Sequence, residues 1–252
     1  MLTTGLVIGT FAAVPYVHLH LESRRRNYPH IPTLVHDDYS PKRSRLEELC
    51  KQYGCDFVST EMRLQPTMGD LSAFVKGLEW AKAKGVDVLV KMSRRFIPVV
   101  DCISGLQCLA YDSGHHTFSN ISRTFDFGFR TECIGMRLRD WLQDATFSTL
   151  KADLEANREI FVEGQIHNVA RELNRHNLQA ERWDQIHRRP PEANAYAVWN
   201  FIGDDRCTRF DRFLWHDAYS PRDYADLAML WNLPYIQEGF ADPNEGGGDG
   251  RT

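Results

Sequence analysis

The segment Gly69–Pro98, GDLSAFVKGLEWAKAKGVDVLVKMSRRFIP, constrains the fold more than any other part of the chain. Leu71, Phe74, Val75, Leu78 and Trp80 or Ala81 recur at helical spacing, so the sequence predicts a helix over Leu71–Ala83. Val86, Val88, Leu89 and Val90 follow as an apolar run of the kind that marks a buried strand. In an open α/β sheet, ligands sit at the carboxyl ends of the strands. Lys91, Arg94 and Arg95 therefore stand where an anionic group would be held, although three such cations are also read as a solvated cluster at a strand end.

The residues upstream repeat this organisation. Thr4–Gly9 reads as a first strand, Gly9-Thr10 as a turn, and the next segment as a helix with Pro15 in its first turn, ending near Arg26. The run Arg24-Arg25-Arg26 closes that helix, where cations suit the dipole. Thr33–Val35 opens a second strand, which ends on His36-Asp37-Asp38-Tyr39-Ser40-Pro41. Asp37 and Asp38 are placed to accept hydrogen bonds from a ribose or base edge, or to solvate a loop near the next helix start. Ser40-Pro41 reads as an N-cap and first helical residue, and Asp56–Thr60 as the third strand.

Composition narrows the classes further. A chain of 252 residues, 42% hydrophobic and 25% charged, supports one large α/β core. A net charge of -4 gives no global attraction to nucleic acid or anionic membrane. The six cysteines form no CxxC pair, which places the chain in a reducing, cytoplasmic setting with free thiols. Leu2–Leu21 is apolar, but Pro15, His18 and His20 interrupt it and no basic segment precedes it, so neither a signal peptide nor a membrane span is expected.

As an ordered set, Gly5–Thr10, the Asp37-Asp38 strand end, Asp56-Phe57-Val58, Gly69-Asp70 before a helix, and the strand Val86–Val90 resemble the nucleotide-sugar-binding half of a GT-A glycosyltransferase of the family 2 type. The resemblance covers residues 4–98. It implies an α/β, GT-A-like (Rossmann-like) mixed sheet, mostly parallel and flanked by helices. It implies that Asp38, with Asp37 as its neighbour, contacts the uracil or ribose of a nucleoside diphosphate sugar, that Thr10 lies near the base, and that Gly69 and Asp70 flank the diphosphate. Such enzymes carry Asp-x-Asp at this strand end to hold a divalent metal, and here Lys91-Met92-Ser93-Arg94-Arg95 stands instead. Divalent ions of the Mg or Mn type need oxygen ligands, chiefly carboxylates. The expectation is a transferase without a metal cofactor, in which Lys91, Ser93, Arg94 and Arg95 neutralise the leaving diphosphate, with one of the two arginines facing it.

The second half offers fewer handles. Val99–Ala110 reads as a helix, His115-His116 as a turn, and Phe125, Phe127 and Phe129 as one face of a strand, with Thr131–Met136 continuing it. A long apolar periodicity runs from Thr149 to Asn174, interrupted by Gly164. The resemblance makes Glu163 the nearest match to the carboxylate that deprotonates the acceptor, should helices split around it; an i,i+4 pairing with His167 is the alternative. Arg182, Arg188 and Arg189 with Trp183 suit phosphate contact or a solvated helix end. Trp215–Arg222 echoes the Asp37-Asp38 motif, with Ser220 and Asp223 forming a capping box.

The resulting expectation is a single domain over residues 1–240, with a nucleotide-sugar half (1–98), an acceptor half (99–240) and a disordered acidic tail (241–252). Its function is transfer of a sugar, from a UDP-sugar, to a hydroxyl with inversion. The acceptor classes are polysaccharide, lipid, protein or modified DNA. Two alternatives stand beside it: an inactive nucleotide-binding or regulatory protein on the same scaffold, and a transferase acting on modified DNA bases, which needs Arg123, Arg130, Arg137, Arg139 and Arg182–Arg189 on one face.

Overall fold

The computed structural model describes residues 2–65, 67–101, 103, 117–119, 131–156, 161–176, 213–214, 220–233 and 240. Strands β1 (Thr4–Thr10), β2 (Thr33–Asp37), β3 (Asp56–Ser59) and β4 (Val88–Ser93) alternate with helices α1 (Val14–Asn27), α2 (Arg43–Tyr53) and α3 (Met68–Lys84). β5 (Ile97–Pro98), β6 (Thr117–Ser119) and β7 (Cys133–Arg137) follow, then the short α4 (Leu138–Trp141), α5 (Asp144–Ala156) and α6 (Val162–His176). β8 (Phe213–Leu214) and α7 (Pro221–Leu230) complete the described elements.

The main sheet has the order β3-β2-β1-β4-β7-β6. β1 pairs in parallel with β2 and β4, and β2 with β3. β7 is antiparallel to β4, with Lys91 opposite Ile134, and β6 is antiparallel to β7. The sheet is thus mixed and mostly parallel, as the sequence predicts. Successive side chains of β1 go to opposite faces. Leu6 and Ile8 pack with Val17, Leu21, Leu46 and Leu49 of α1 and α2. Val7 packs with Leu71, Phe74 and Leu78 of α3, and with Trp141, Leu150 and Ile166 beyond it. Both faces being covered explains why the strands read as continuous apolar runs. β5 and β8 form a small second sheet, near which Tyr16, Leu227 and Phe240 build a third cluster.

Element boundaries follow local chemistry. Gly85 ends α3 with φ 68°, the left-handed cap that glycine adopts without penalty. The α1 helix carries Pro15 in its first turn and its arginines in the last, as expected. Three expectations are corrected. The strand expected from Val86 begins at Val88 and runs to Ser93, because Val86 still closes the α3 cap through its N–H to Ala81 O at 3.2 Å. The apolar pattern over 149–174 divides into α5 and α6, with Phe161 immediately before the second. Ser40 does not start α2, which begins at Arg43. The Ser40 hydroxyl is used elsewhere: it donates to Asp37 and accepts the Ala12 N–H at 2.6 Å, tying the β1 and β2 turns together. By contrast, α7 starts at Pro221, with the Ser220 N–H donating to the Asp223 carboxylate at 2.8 Å.

The segment Leu2–Leu21 becomes β1 and most of α1, and no helix among the described residues is long and apolar enough to cross a membrane. Several expectations lie outside the described residues: most of the Val99–Ala110 helix, His115 and His116, the Phe125–Phe129 strand, Arg182–Arg189, Trp215–Tyr219 and the tail from 241.

Candidate functional site

A cavity of about 610 Å³ opens at the carboxyl ends of β1, β2 and β4. Thr10, Asp38, Gly69, Asp70, Lys91, Ser93, Arg94, Arg95 and Glu163, the residues that the strand-end position and the resemblance single out, all line it. Asp37 does not. Adjacent residues at a strand end point to opposite sides, and the fully buried Asp37 carboxylate accepts the Ser40 N–H at 2.8 Å and the Ser59 hydroxyl at 3.0 Å. The expectation that Asp37 stands beside Asp38 as a ligand contact is therefore corrected: it braces the turn that presents Asp38.

Asp38 is 3% exposed and held from three directions. Its oxygens accept from Arg63 at 2.7 Å, the Leu64 N–H at 3.2 Å and the Thr60 hydroxyl at 3.3 Å. Burial raises its pKa, while the Leu64 N–H and the Arg63 charge pull the other way. Gly69, in the first turn of α3, lies so close that a Cβ there would come within 2.8 Å of the Asp38 Cγ; only glycine fits. The Arg63 guanidinium lies over the Phe11 ring at 3.3 Å, forming a flat, cationic face beside the carboxylate.

Lys91 is fully buried, and a buried ammonium needs partners. Its Nζ is ion-paired to Asp70, donates to the Thr131 carbonyl at 2.8 Å and lies 4.8 Å from the Phe74 ring centroid. One pair thus joins the start of α3 to β4 and to the segment entering β7. Arg94 donates to the Phe11 carbonyl at 3.0 Å, and Arg95 lies over Tyr16 at 5.8 Å. Both arginines line the cavity. They occupy a turn, closed by the Phe96 N–H on the Ser93 carbonyl at 3.0 Å.

Glu163 occupies the first turn of α6, a favourable place for a carboxylate. Its Oε1 is 3.4 Å from the Thr131 hydroxyl. The helix does split before it, as the Glu163 assignment requires.

Phe11, Arg63, Thr67, Thr131, Glu132 and Val162 also line the cavity and escaped the sequence reading. Arg63 had a signal, since it follows closely on the carboxyl end of the third parallel strand. Thr131 and Glu132 had none, because an antiparallel strand brings them in from the opposite half. The hydroxyls of Thr10 and Thr67 are buried and have no hydrogen-bond partner among the described residues. Buried polar atoms are rarely left so, and both lie in this wall.

The GT-A resemblance implies a divalent metal, and the donor set does not fit one. Among the described residues, no group of three His, Cys, Asp or Glu side chains comes together as metal ligands. Asp38 and Asp70 lie within the cavity wall, but each is paired to a cation, Arg63 and Lys91 respectively. The arginines that would mark a nucleic-acid face are also partly committed: Arg137 and Arg139 approach the Asp140 carboxylate at 3.8 and 3.5 Å. Arg123, Arg130 and Arg182–Arg189 lie outside the described residues.

No protein-family model matches the chain, and no curated protein matches it by sequence. Solved structures do match by fold. The glycosyltransferase GlyE of Streptococcus pneumoniae TIGR4 aligns over 98% of this chain and 62% of its own, at 14% identity and a TM-score of 0.53. A cytidylyltransferase of Leptospira borgpetersenii aligns over 64% of this chain and 66% of its own, at 15% identity and a TM-score of 0.40. The glucosyl-3-phosphoglycerate synthase of Mycobacterium tuberculosis, in complex with Mn2+ and uridine-diphosphate-glucose, aligns over 55% and 57%, at 13% identity and a TM-score of 0.42. The chain spans less than two thirds of the length of each. At such identities the likeness concerns the fold, and the fold is GT-A-like: a mixed, mostly parallel sheet flanked by helices.

Proposed function

We propose that the chain is a glycosyltransferase that moves a sugar from a nucleoside diphosphate donor, a UDP-sugar, to an acceptor hydroxyl, with inversion and without a divalent metal. The observation that carries this reading is convergence. Residues 10, 38, 69, 70 and 163, which the resemblance implies, and the strand-end cations 91, 94 and 95 line one cavity at the carboxyl edge of the parallel strands, where open α/β sheets bind ligands.

In this reading the Arg63–Phe11 face and Asp38 hold the nucleoside. Lys91, Ser93, Arg94 and Arg95 hold the diphosphate. Glu163 accepts the proton of the acceptor hydroxyl while that oxygen bonds the anomeric carbon. The bond from that carbon to the diphosphate oxygen breaks, and the diphosphate leaves with the electron pair. Lys91 is fixed by Asp70 and Thr131 before the donor arrives, so no reorganisation is needed as charge grows on the leaving group.

Calorimetry with UDP, GDP, CDP and ADP in the presence of EDTA tests the donor assignment. The reading expects UDP to bind most tightly. Failure of all four to bind would contradict it, and binding without any turnover of UDP-sugars would favour the nucleotide-binding alternative.

A further inference from the structure

We propose that Thr131 is a positioning residue that fixes the Glu163 carboxylate relative to the diphosphate site; this rests on the reading of Glu163 as the proton acceptor. Thr131 is 4% exposed and engaged at both ends. Its carbonyl accepts from the buried Lys91 ammonium at 2.8 Å, and its hydroxyl lies 3.4 Å from Glu163 Oε1. Lys91 is paired in turn with Asp70 at the start of α3. The next residue is pinned as well, since the Ser93 N–H donates to the Glu132 carbonyl at 2.7 Å.

A continuous path therefore runs from Asp70 through Lys91 and Thr131 to Glu163. It crosses from the parallel half of the sheet, which would hold the donor, to helix α6. Both ends of the path open on the same cavity. Long flexible carboxylates make poor proton acceptors unless another group selects one rotamer, and displacement of a reacting group by about 1 Å costs on the order of 100-fold in rate. A short β-branched hydroxyl residue suits this task. Its side chain has few rotamers, and its backbone is anchored by a buried charge. Apart from Thr131, no residue bonded to Lys91 also reaches Glu163 among the described contacts.

The test compares wild type, Thr131→Val, Thr131→Ser and Glu163→Gln for release of UDP from a panel of UDP-sugars with water as acceptor, alongside calorimetric donor affinity and thermal melting. Thr131→Val keeps the shape and the carbonyl bond to Lys91 but removes the hydroxyl. The expected result is a fall in kcat of roughly 10- to 100-fold with donor affinity unchanged, and recovery in Thr131→Ser. Glu163→Gln should fall by roughly 100-fold or more, and adding Thr131→Val to it should cost little further. Wild-type kcat in Thr131→Val, or loss of donor affinity and melting temperature in proportion to activity, would overturn the positioning role while leaving the transferase reading intact. Unchanged turnover in Glu163→Gln, or no UDP release by wild type from any donor, would instead defeat the reading on which it rests.

Discussion

Two basic clusters that look alike in the sequence, Arg24-Arg25-Arg26 and Lys91 with Arg94-Arg95, differ in what they border. In the first, hydrogen-bonding capacity is spent inside the fold. Arg24 donates to the carbonyls of Ile31, Tyr53 and Pro29 at 2.9 to 3.0 Å. Arg25 and Arg26 share the buried Glu22. Burial alone would raise the Glu22 pKa, but the hydrogen bonds from the two arginines hold it below the ordinary value. In the second cluster the cations line an open cavity. Residue type does not separate a structural cluster from one that lines a cavity. What separates them is that the second cluster borders a space that a molecule can enter.

The largest expected effect that would break this contrast comes from removing each cluster's central cation. Lys91→Met should raise the barrier to transfer by roughly 2 to 4 kcal/mol, the scale of losing a positioned charge on a developing anion. Asp70 is left partly accessible to water, so the fold should survive. Steady-state kinetics with the donor that binds check this, and wild-type kcat would place Lys91 with the structural cations. Arg24→Met should do the reverse. It removes three bonds from a charged donor to backbone carbonyls and should cost roughly 2 kcal/mol of stability in a denaturant titration. The kcat of the folded fraction should be unchanged.

A smaller effect concerns two histidines on either side of the sheet. His20 lies on α1 and His36 on β2, where its Nε2 bonds Ser72 of α3 at 2.9 Å. Burial lowers both to about 4, against an ordinary 6.5. Both are therefore neutral in the folded protein and take up protons more readily when unfolded. Stability is full above pH 6.5, declines as pH falls through 6.5 towards 4, and is lost by roughly 1.4 kcal/mol per histidine at pH 5.5. Chemical denaturation at pH 7.5 and 5.5 measures this. His36→Gln should remove part of the decline on the cavity side, and an unchanged slope in that variant would place the pH dependence elsewhere.

Much of the first half was legible because its signals are local. The doubly buried strands, the α3 periodicity and the carboxyl-edge position of Lys91, Arg94 and Arg95 all follow from short-range pattern. The illegible parts depend on direction and distance. Asp37 and Asp38 are equivalent in sequence, and only the pleat decides that Asp38 reaches the cavity. Ser40-Pro41 and Ser220-Pro221 carry the same helix-start signal. Ser220 keeps it, whereas Ser40 gives its hydroxyl to Asp37 and Ala12. The Lys91–Asp70 pair spans 21 positions and the Lys91–Thr131 bond 40, and no local pattern announces either.

The most direct test of the central claim, that buried and turn-held cations replace a metal in this site, is transfer rate against divalent ion. The rate should be the same in excess EDTA and in added Mn2+ or Mg2+, because Asp38 and Asp70, the carboxylates beside the cations, are already engaged by Arg63 and Lys91. A rate that vanishes in EDTA and returns with Mn2+ would contradict the account, and would mean that Asp38 or Asp70 leaves its cation to hold the ion.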